Sequence, residues 1–541
     1  MKYRTGPKMP KEGFFNVFLE PLIGEDNTVR VIGAFVDSLD LAKIGFSHVC
    51  LNKTGAPPYD PALLLKLYLY GYFNRIRSSR MLERECTRNV ELWWLLDRAV
   101  PCYHTIATFR SNKIHRTLFK EVFRLFTQIL AKAGLFGKEL VAVDGTKIRA
   151  QNSKKNNVSA EKINKKLDHN ESKFLEYMEE LDRADAALDA GLVPVVSPET
   201  INKILDEIQD RTGILGGLFD LLHEVQIKDP SITQISLTDP DSRAMATNNS
   251  GNVDIVYNVQ SVVDDQHYLI ADFSVENISD IYLLSKTTLA AKTELGVASL
   301  EVLADKGYHY GAELQKCADE GITTYVAFPE QDYKTKQKGF QKQNFIFDAE
   351  KDVYACPAGQ FLTTNGNLYD KKNRTGQVQN QIKVYKVPYK TCVDCPFADQ
   401  CLTATSQENG HGRSIERSVY EQAVADNRLR VINNRNKYKQ RQAIVEHPFG
   451  TIKWSWGFHY TLLKGKEKVG AEFSLVFLTY NLRRAVNILG AKDLMDWIKI
   501  AVWPKPTLCV RLSANFGAAP PITASKSGVG RMDWVALVRA T

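Results

Sequence analysis

Twice in this chain a short apolar run stops on an aspartate with a glycine close behind. The first is Glu139-Leu140-Val141-Ala142-Val143-Asp144-Gly145 and the second Leu300-Glu301-Val302-Leu303-Ala304-Asp305-Lys306-Gly307. Each reads as a β-strand that delivers an acid to its end. Between them, residues 253–262 alternate like a strand, and His267–Phe273 reads as its hairpin partner across the turn at Asp264-Asp265. A helix over about 279–294, a second over 311–320 and a strand over 323–328 complete the set. Hairpin strands followed by strands alternating with helices predict an α/β fold, a mixed sheet with helices on its faces.

At 541 residues the chain exceeds what one core of ~250–300 residues holds, so several domains or large insertions are expected. No apolar run approaches the ~18–20 residues that cross a bilayer. The opening Met1-Lys2-Tyr3-Arg4-Thr5-Gly6-Pro7 carries no apolar signal region, so a cytoplasmic protein with no membrane partner is expected. The formal charge of +8 is only mildly basic, and the arrangement of charges says more than their sum.

Residues 1–135 read as a helical N-terminal domain. Asp60-Pro61 is a helix start, an N-cap carboxylate followed by a proline whose missing N–H costs nothing there. Arg75, Arg77, Arg80, Arg84 and Arg88 follow, then an element through Trp93-Trp94 and another from His104 to Arg110. Short helices with interleaved arginines fit a helix-turn-helix type DNA reader, with Arg110 among its contacts, and equally a small bundle with a basic face. A catalytic region over 136–500 carries two inserts, a helical hairpin over 151–230 and a polar cysteine-bearing stretch over 330–420. Residues 501–541 read as a loosely ordered tail.

Phosphodiester cleavage by two Mg²⁺ or Mn²⁺ ions needs acids on rigid, converging supports. Asp144 and Asp305 have that context, although an aspartate at a strand end is also ordinary turn chemistry. Val143-Asp144-Gly145-Thr146-Lys147, Ala304-Asp305-Lys306-Gly307-Tyr308 and Val445-Glu446-His447-Pro448-Phe449-Gly450-Thr451-Ile452-Lys453 resemble the three acidic motifs of insertion-sequence transposases of the DDE class. The helical start resembles the N-terminal domain of the same proteins, and the likeness runs from about residue 15 to 490.

The resemblance implies a ribonuclease H-like core and a transposase that cuts DNA ends and joins them to a target. Asp144 would bridge two metal ions, Asp305 would hold one and Glu446 the other. Tyr438, Arg441 and Lys453 match the tyrosine-arginine-glutamate-lysine helix motif, whose basic members contact transposon-end phosphates. The seven-residue step from Glu446 to Lys453 predicts one helix face, two turns apart. The family pattern has three residues between its arginine and glutamate, whereas Gln442, Ala443, Ile444 and Val445 make four here. That turns Arg441 away from Glu446 unless the helix bends, and Pro448 is a place for a kink. Glu416 and Glu421 are rivals for the third acid. Asp239, Asp241, Asp264 and Asp265 read as capped turns, the first two also as a possible lining of a DNA channel.

Arg428, Arg430, Arg435, Lys437, Lys439 and Arg441 lie within fourteen residues, a phosphate-seeking run that Lys453 and then Trp454 and Trp456 follow. Hairpin-forming members of the class steady a flipped base with an aromatic ring, which either tryptophan would supply; plain packing is the alternative. Cys356, Cys392, Cys395 and Cys401 form a cluster with a Cys-x-x-Cys core that fits a structural Zn²⁺, with His411 as a spare ligand and redox or packing thiols as the alternative. The other five cysteines read as packing. The partners implied are the terminal inverted repeats, target DNA and a second copy of the chain on DNA. The rival functions are a transposase-derived DNA-binding protein that does not cut, and a metal-dependent nuclease that does not join.

Overall fold

The computed structural model describes residues 18–49, 57–153, 156–228, 232–247, 253–329, 338–372 and 378–501. The chain divides into a unit over 1–503 and a second over 504–541, which lies outside the described residues, as do Cys50, Cys509 and the expected tail beyond Ala501.

Seven helices come first: α1 (Thr28–Ser38), α2 (Leu41–Ile44), α3 (Pro61–Phe73), α4 (Ser79–Cys86), α5 (Val90–Leu95), α6 (Tyr103–Ser111) and α7 (His115–Lys132). Asp60 caps α3 by accepting from the Ala62 N–H at 2.8 Å, with Pro61 in the first turn. Leu64, Leu65, Leu67, Tyr68, Leu69 and Tyr70 are all buried, so α3 is enclosed nearly all round.

The main sheet then forms from β1 (Leu140–Arg149), β2 (Asn157–Ser159), β3 (Gln234–Ser236), β4 (Arg243–Ala246), β5 (Val253–Asp264), β6 (Ile270–Glu276), β7 (Leu300–Ala304) and β8 (Ile322–Val326). Its path runs β2-β3-β4-β5-β1-β7-β8, with β6 also on β5. β1 is antiparallel to β5 and parallel to β7, and β8 is parallel to β7. Two long helices, α8 (Ala160–Asp189) and α9 (Pro198–Lys228), form a hairpin between β2 and β3. At ~1.5 Å per residue each is about 45 Å long. They share two small apolar clusters, around Leu218 and Leu222 and around Ile201 and Leu205.

Helices α10 (Leu284–Leu295) and α11 (Gly311–Asp319) lead into and out of β7. A second, five-stranded antiparallel sheet follows, made of β9 (Ile346–Asp348), β10 (Val353–Ala355), β11 (Phe361–Lys372), β12 (Val378–Lys386) and β13 (Ser414–Ser418). Short helices α12 (Tyr389–Val393), α13 (Ala398–Cys401) and α14 (Ala404–Glu408) join its last two strands. Four more helices close the described chain: α15 (Glu421–Asn433), α16 (Arg435–Phe449), α17 (Lys466–Leu489) and α18 (Ala491–Ala501).

α17 is the hub of the core. Val469, Phe473, Leu475, Val476, Phe477 and Leu478 are buried within one apolar cluster that also takes in α3, α7 and the strands of the main sheet. The buried Glu472 of α17 pairs with Arg77 at 3.2 Å and accepts from the Leu462 N–H at 3.0 Å. Arg77, expected on a basic face, instead lies under Phe458 and fastens the N-terminal helices to α17. Among the described residues no helix is long and apolar enough to cross a membrane.

Candidate active site

Asp144 is not at a strand end. β1 continues to Arg149 because β5 pairs with it throughout, from Val141↔Asp264 to Arg149↔Val256. What ends there is the parallel ladder, whose last partners are Val143 and Ala304. Asp144 and Asp305 are therefore the next residues on adjacent parallel strands, whose usual spacing is ~4.7–4.9 Å. Asp305 caps the 3-10 turn Lys306–Tyr308 by accepting from the Gly307 N–H at 2.8 Å, and Asp144 accepts from the Gly145 N–H at 2.9 Å.

Burial pushes the Asp144 carboxyl up to about 6. Arg441 opposes that rise, while the charges of Asp305 and Asp280 add to it. The Arg441 guanidinium stands 4.0 Å from the Asp144 carboxylate. Tyr438 lies one turn back along α16; burial raises its phenol above the ordinary range, and the neighbouring Arg441 opposes this. Lys453 donates to Thr146 Oγ1 at 2.9 Å; burial lowers its ammonium and Asp144 opposes this. Asp144, Asp305, Tyr438, Arg441 and Lys453 thus share one corner of the sheet.

Glu446 is elsewhere. It is exposed on α16, where Gln442 donates to it at 2.8 Å. Five positions from Arg441 amount to about 140° around an α-helix, so the extra residue does turn the two apart. The expected single face for Glu446 and Lys453 is also absent. α16 runs through Pro448, but Gly450–Ser455 continue as a π-helix, in which Trp456 N–H bonds the Thr451 carbonyl. The wider turn swings Lys453 onto β1 while Glu446 stays outside. Among the described residues no three His, Cys, Asp or Glu side chains stand together as a metal-holding group.

A polar network absent from the sequence reading lies under Gly145. Asp280, in the 3-10 turn Asp280–Tyr282, accepts from Lys147 (3.0 Å), Asn258 (2.7 Å) and Gln260 (2.7 Å). Tyr308 donates its hydroxyl to Gln260 Oε1. Asn258 and Gln260 are fully buried and pair across the ladder with Lys147 and Gly145. The available signal was a pair of amide side chains two apart on an otherwise apolar strand, hence on one face of the sheet.

Residues 17–112 match the family described as Transposase domain (DUF772), and residues 355–486 match the Transposase DDE domain family. The two matches, one toward each end of the chain, support an insertion-sequence transposase of the DDE class. No curated protein and no solved structure matches it. The second match spans Tyr438, Arg441, Glu446 and Lys453, whereas Asp144 and Asp305 lie outside both.

The other residues expected to touch DNA divide sharply. Trp454 is 78% exposed and meets His459 edge to face, whereas Trp456 is 4% exposed in the main core and offers no face for stacking. Arg110, 5% exposed, donates to Tyr72 and holds the transposase's helical region together. Lys437 pairs with Glu301 on β7, while Arg435 and Lys439 are exposed on α16. Asp264 is a capped turn, accepting from Gly137 and Lys138 N–H groups. Asp239 is buried and accepts from Tyr257 and from Gly465 N–H, so it anchors a loop. Glu416 and Glu421 pair with Lys371 and Lys342.

Three of the four clustered cysteines, Cys356, Cys392 and Cys401, pack against the apolar cluster of the second sheet. Burial pushes the Cys401 thiol up to about 11; Arg413 opposes this, and Cys392, Cys356 and Cys395 add to it. Backbone N–H groups of Gln360 and Arg413 point at Cys356 and Cys392 sulfur, at 3.2 and 3.4 Å. His411 is exposed. Of the scattered cysteines, Cys86 and Cys317 are buried, but Cys102 is exposed rather than packed.

Proposed function

We propose that this transposase cuts DNA at the ends of an insertion sequence and transfers the freed 3′-hydroxyl to target DNA, with Asp144, Asp305 and Glu446 holding two Mg²⁺ or Mn²⁺ ions. The observation that carries the reading is the pair Asp144–Asp305 at the point where the parallel ladder ends. Burial chiefly pushes Asp144 up to about 6 and the Asp305 charge adds to it, a cost that a bound cation would relieve. Their hard oxygen donors suit such ions. Bound there, the ions would activate the attacking oxygen and stabilise the leaving one. Arg441 and Lys453 flank the pair and would draw a phosphate in, and the exposed Trp454 would stack an unpaired base.

The order β6-β5-β1-β7-β8, antiparallel and then parallel, supports a ribonuclease H-like core over 136–500 behind the helical domain over 1–135. Glu446 requires a rotation or a shift of α16 to join the pair, for which bound DNA and metal are the natural cause. The exposed Glu446 equally favours a second reading, a transposase-derived protein that binds ends without cutting. Cys356, Cys392, Cys395 and Cys401 have the donor chemistry for one structural Zn²⁺ stapling the second sheet, with two backbone donors aimed at sulfur, but their side chains would have to draw together around the ion. Holding two transposon ends implies a homodimer on DNA.

The test is cleavage of the flanking repeat DNA in Mg²⁺ by wild type beside Asp144→Ala, Asp305→Ala and Glu446→Ala, followed by strand transfer from a precut end. Loss of cutting with end binding intact supports the assignment. Three variants that cut like wild type refute the metal site, cutting without joining makes the chain a nuclease, and binding without cutting by wild type leaves the second reading.

A further inference from the structure

We infer that Asp280 is a positioning residue that fixes the spacing between Asp144 and Asp305, an inference that rests on the metal-site reading above. Both acids are tied to its carboxylate. On one side β1 lies directly upon it: a Cβ at Gly145 would fall 2.5 Å from Asp280 Oδ1 and 2.8 Å from Asn258 Oδ1, and would also collide with Gln260 Nε2. The glycine after Asp144 is required by this close approach, not by a turn. Two residues further on, Lys147 Nζ meets both oxygens of Asp280, at 3.2 and 3.0 Å.

On the other side Asp280 holds the Gln260 amide, whose oxygen accepts from the Tyr308 hydroxyl. Tyr308 closes the 3-10 turn that Asp305 caps, so its position sets where the Asp305 carboxylate stands. Gln260 donates in addition to Asn258 Oδ1 at 3.0 Å, and Asn258 donates to the Ile278 carbonyl at 2.9 Å. The segment that bears Asp280 is thereby locked to β5. Gln260, Asn258 and Tyr308 are all at most 1% exposed, so water has no access to replace a lost partner.

Asp280 Oδ1 is already engaged by Lys147, Asn258 and Gln260, which makes it a support for the ligands rather than a ligand itself. Supports of this kind typically change metal affinity or rate by about 10–100-fold when removed. The network also explains why two polar side chains, Asn258 and Gln260, are buried in the middle of a sheet. Each donates to or accepts from another member, and the chain of bonds begins and ends at the backbone segments that carry the two acids.

The experiment compares full-length wild type with Asp280→Ala, Asp280→Asn and Tyr308→Phe. Mn²⁺ binding is measured by calorimetry, end cutting is followed over a Mg²⁺ titration, and end binding and thermal unfolding serve as controls. Asp280→Ala is expected to weaken Mn²⁺ binding and slow cutting by about 10–100-fold, with end binding unchanged. Asp280→Asn keeps one oxygen acceptor for Gln260 and Asn258 but turns an NH₂ donor toward Lys147, so it should recover part of that loss. Tyr308→Phe deletes one hydroxyl and should raise the Mg²⁺ needed for half-maximal cutting without altering end binding. If Asp280→Ala does not fold, Tyr308→Phe and Asp280→Asn still decide. Variants that titrate like a wild type that binds Mn²⁺ and cuts overturn the inference alone. A wild type that neither binds Mn²⁺ nor cuts overturns the functional reading and this inference with it.

Discussion

The two sides of the candidate site are built differently. Asp144 and Asp305 stand on paired strands with a buried polar network beneath them, whereas Glu446 stands on α16, a helix that turns into a π-helix four residues later. Asp144 is held by its pairing with Ser261 of β5, and Asp305 directly follows the paired end of β7, which leaves both little freedom. A helix packed on a sheet can rotate or slide while its own hydrogen bonds stay intact. The contrast suggests a division of labour: the sheet side is preformed, and the helix side completes the site when substrate arrives.

The largest expected effect tests the preformed side. Asp144→Ala and Asp305→Ala should each lower end cutting by ~10³-fold or more, about 4 kcal/mol of transition-state stabilisation, in gel assays with Mg²⁺. Glu446→Ala should match them if α16 rotates in on substrate. Gln442→Ala then sharpens the comparison, because it removes the bond that holds Glu446 outside. It should leave cutting unchanged or modestly raised. A loss of cutting in Gln442→Ala as large as in Glu446→Ala would break the idea of a mobile third acid.

Next in size is a contrast between two tryptophans at the end of the π-helix. Trp456→Ala removes a buried ring from the main core and should cost ~3–5 kcal/mol of stability, read as a shifted urea midpoint. Trp454→Ala should leave stability within ~0.5 kcal/mol while weakening binding to unpaired transposon-end DNA by ~1–3 kcal/mol. Equal effects on stability, or none on DNA binding from Trp454→Ala, would remove the stacking role.

What was legible in the sequence follows the same contrast. The apolar runs into Asp144 and Asp305 announced a sheet, because strands buried on both faces write themselves as uninterrupted apolar residues. The helical hairpin was visible for the complementary reason, two long periodic stretches broken at Gly191–Pro198. The second sheet was hidden. β11 is Phe361-Leu362-Thr363-Thr364-Asn365-Gly366-Asn367-Leu368-Tyr369-Asp370-Lys371-Lys372, exposed along most of its length, so it shows no alternation. Asp280 was hidden as well, since nothing near it in sequence names Gln260 or Tyr308 as partners. The direction of Glu446 followed from the extra residue after Arg441, whereas the place of Lys453 depended on a π-helix, which no count of α-helical turns anticipates.

The cysteine cluster offers a third comparison, between a site for chemistry and a staple. If Zn²⁺ is bound, Cys392→Ser should release about one equivalent of metal per chain and lower the unfolding temperature. Chelation should reproduce the shift in wild type and add nothing in the variant. End cutting in the variant below its unfolding temperature should remain within ~10-fold of wild type, far above that of Asp144→Ala. Unchanged metal content would leave the four thiols as packing.

The smallest effect concerns pH and again separates helix from sheet. His447 follows Glu446 on α16; its ring lies 2.7 Å from the Tyr480 hydroxyl, and burial, with Arg484 nearby, lowers its pKa below the ordinary 6.5. A base with a depressed folded value resists protonation that the unfolded chain accepts. The associated stability is therefore intact above about 6.5 and falls as pH drops below it, by at most ~1.4 kcal/mol per pH unit. Hydrogen exchange of α16 should quicken between pH 7 and pH 5.5 relative to the central strands. His447→Gln should flatten that part of the response, because a neutral amide has no proton to take up. Equal quickening in α16 and β1, unchanged by the substitution, would mean that the helix side is no looser than the sheet on which the two aspartates stand.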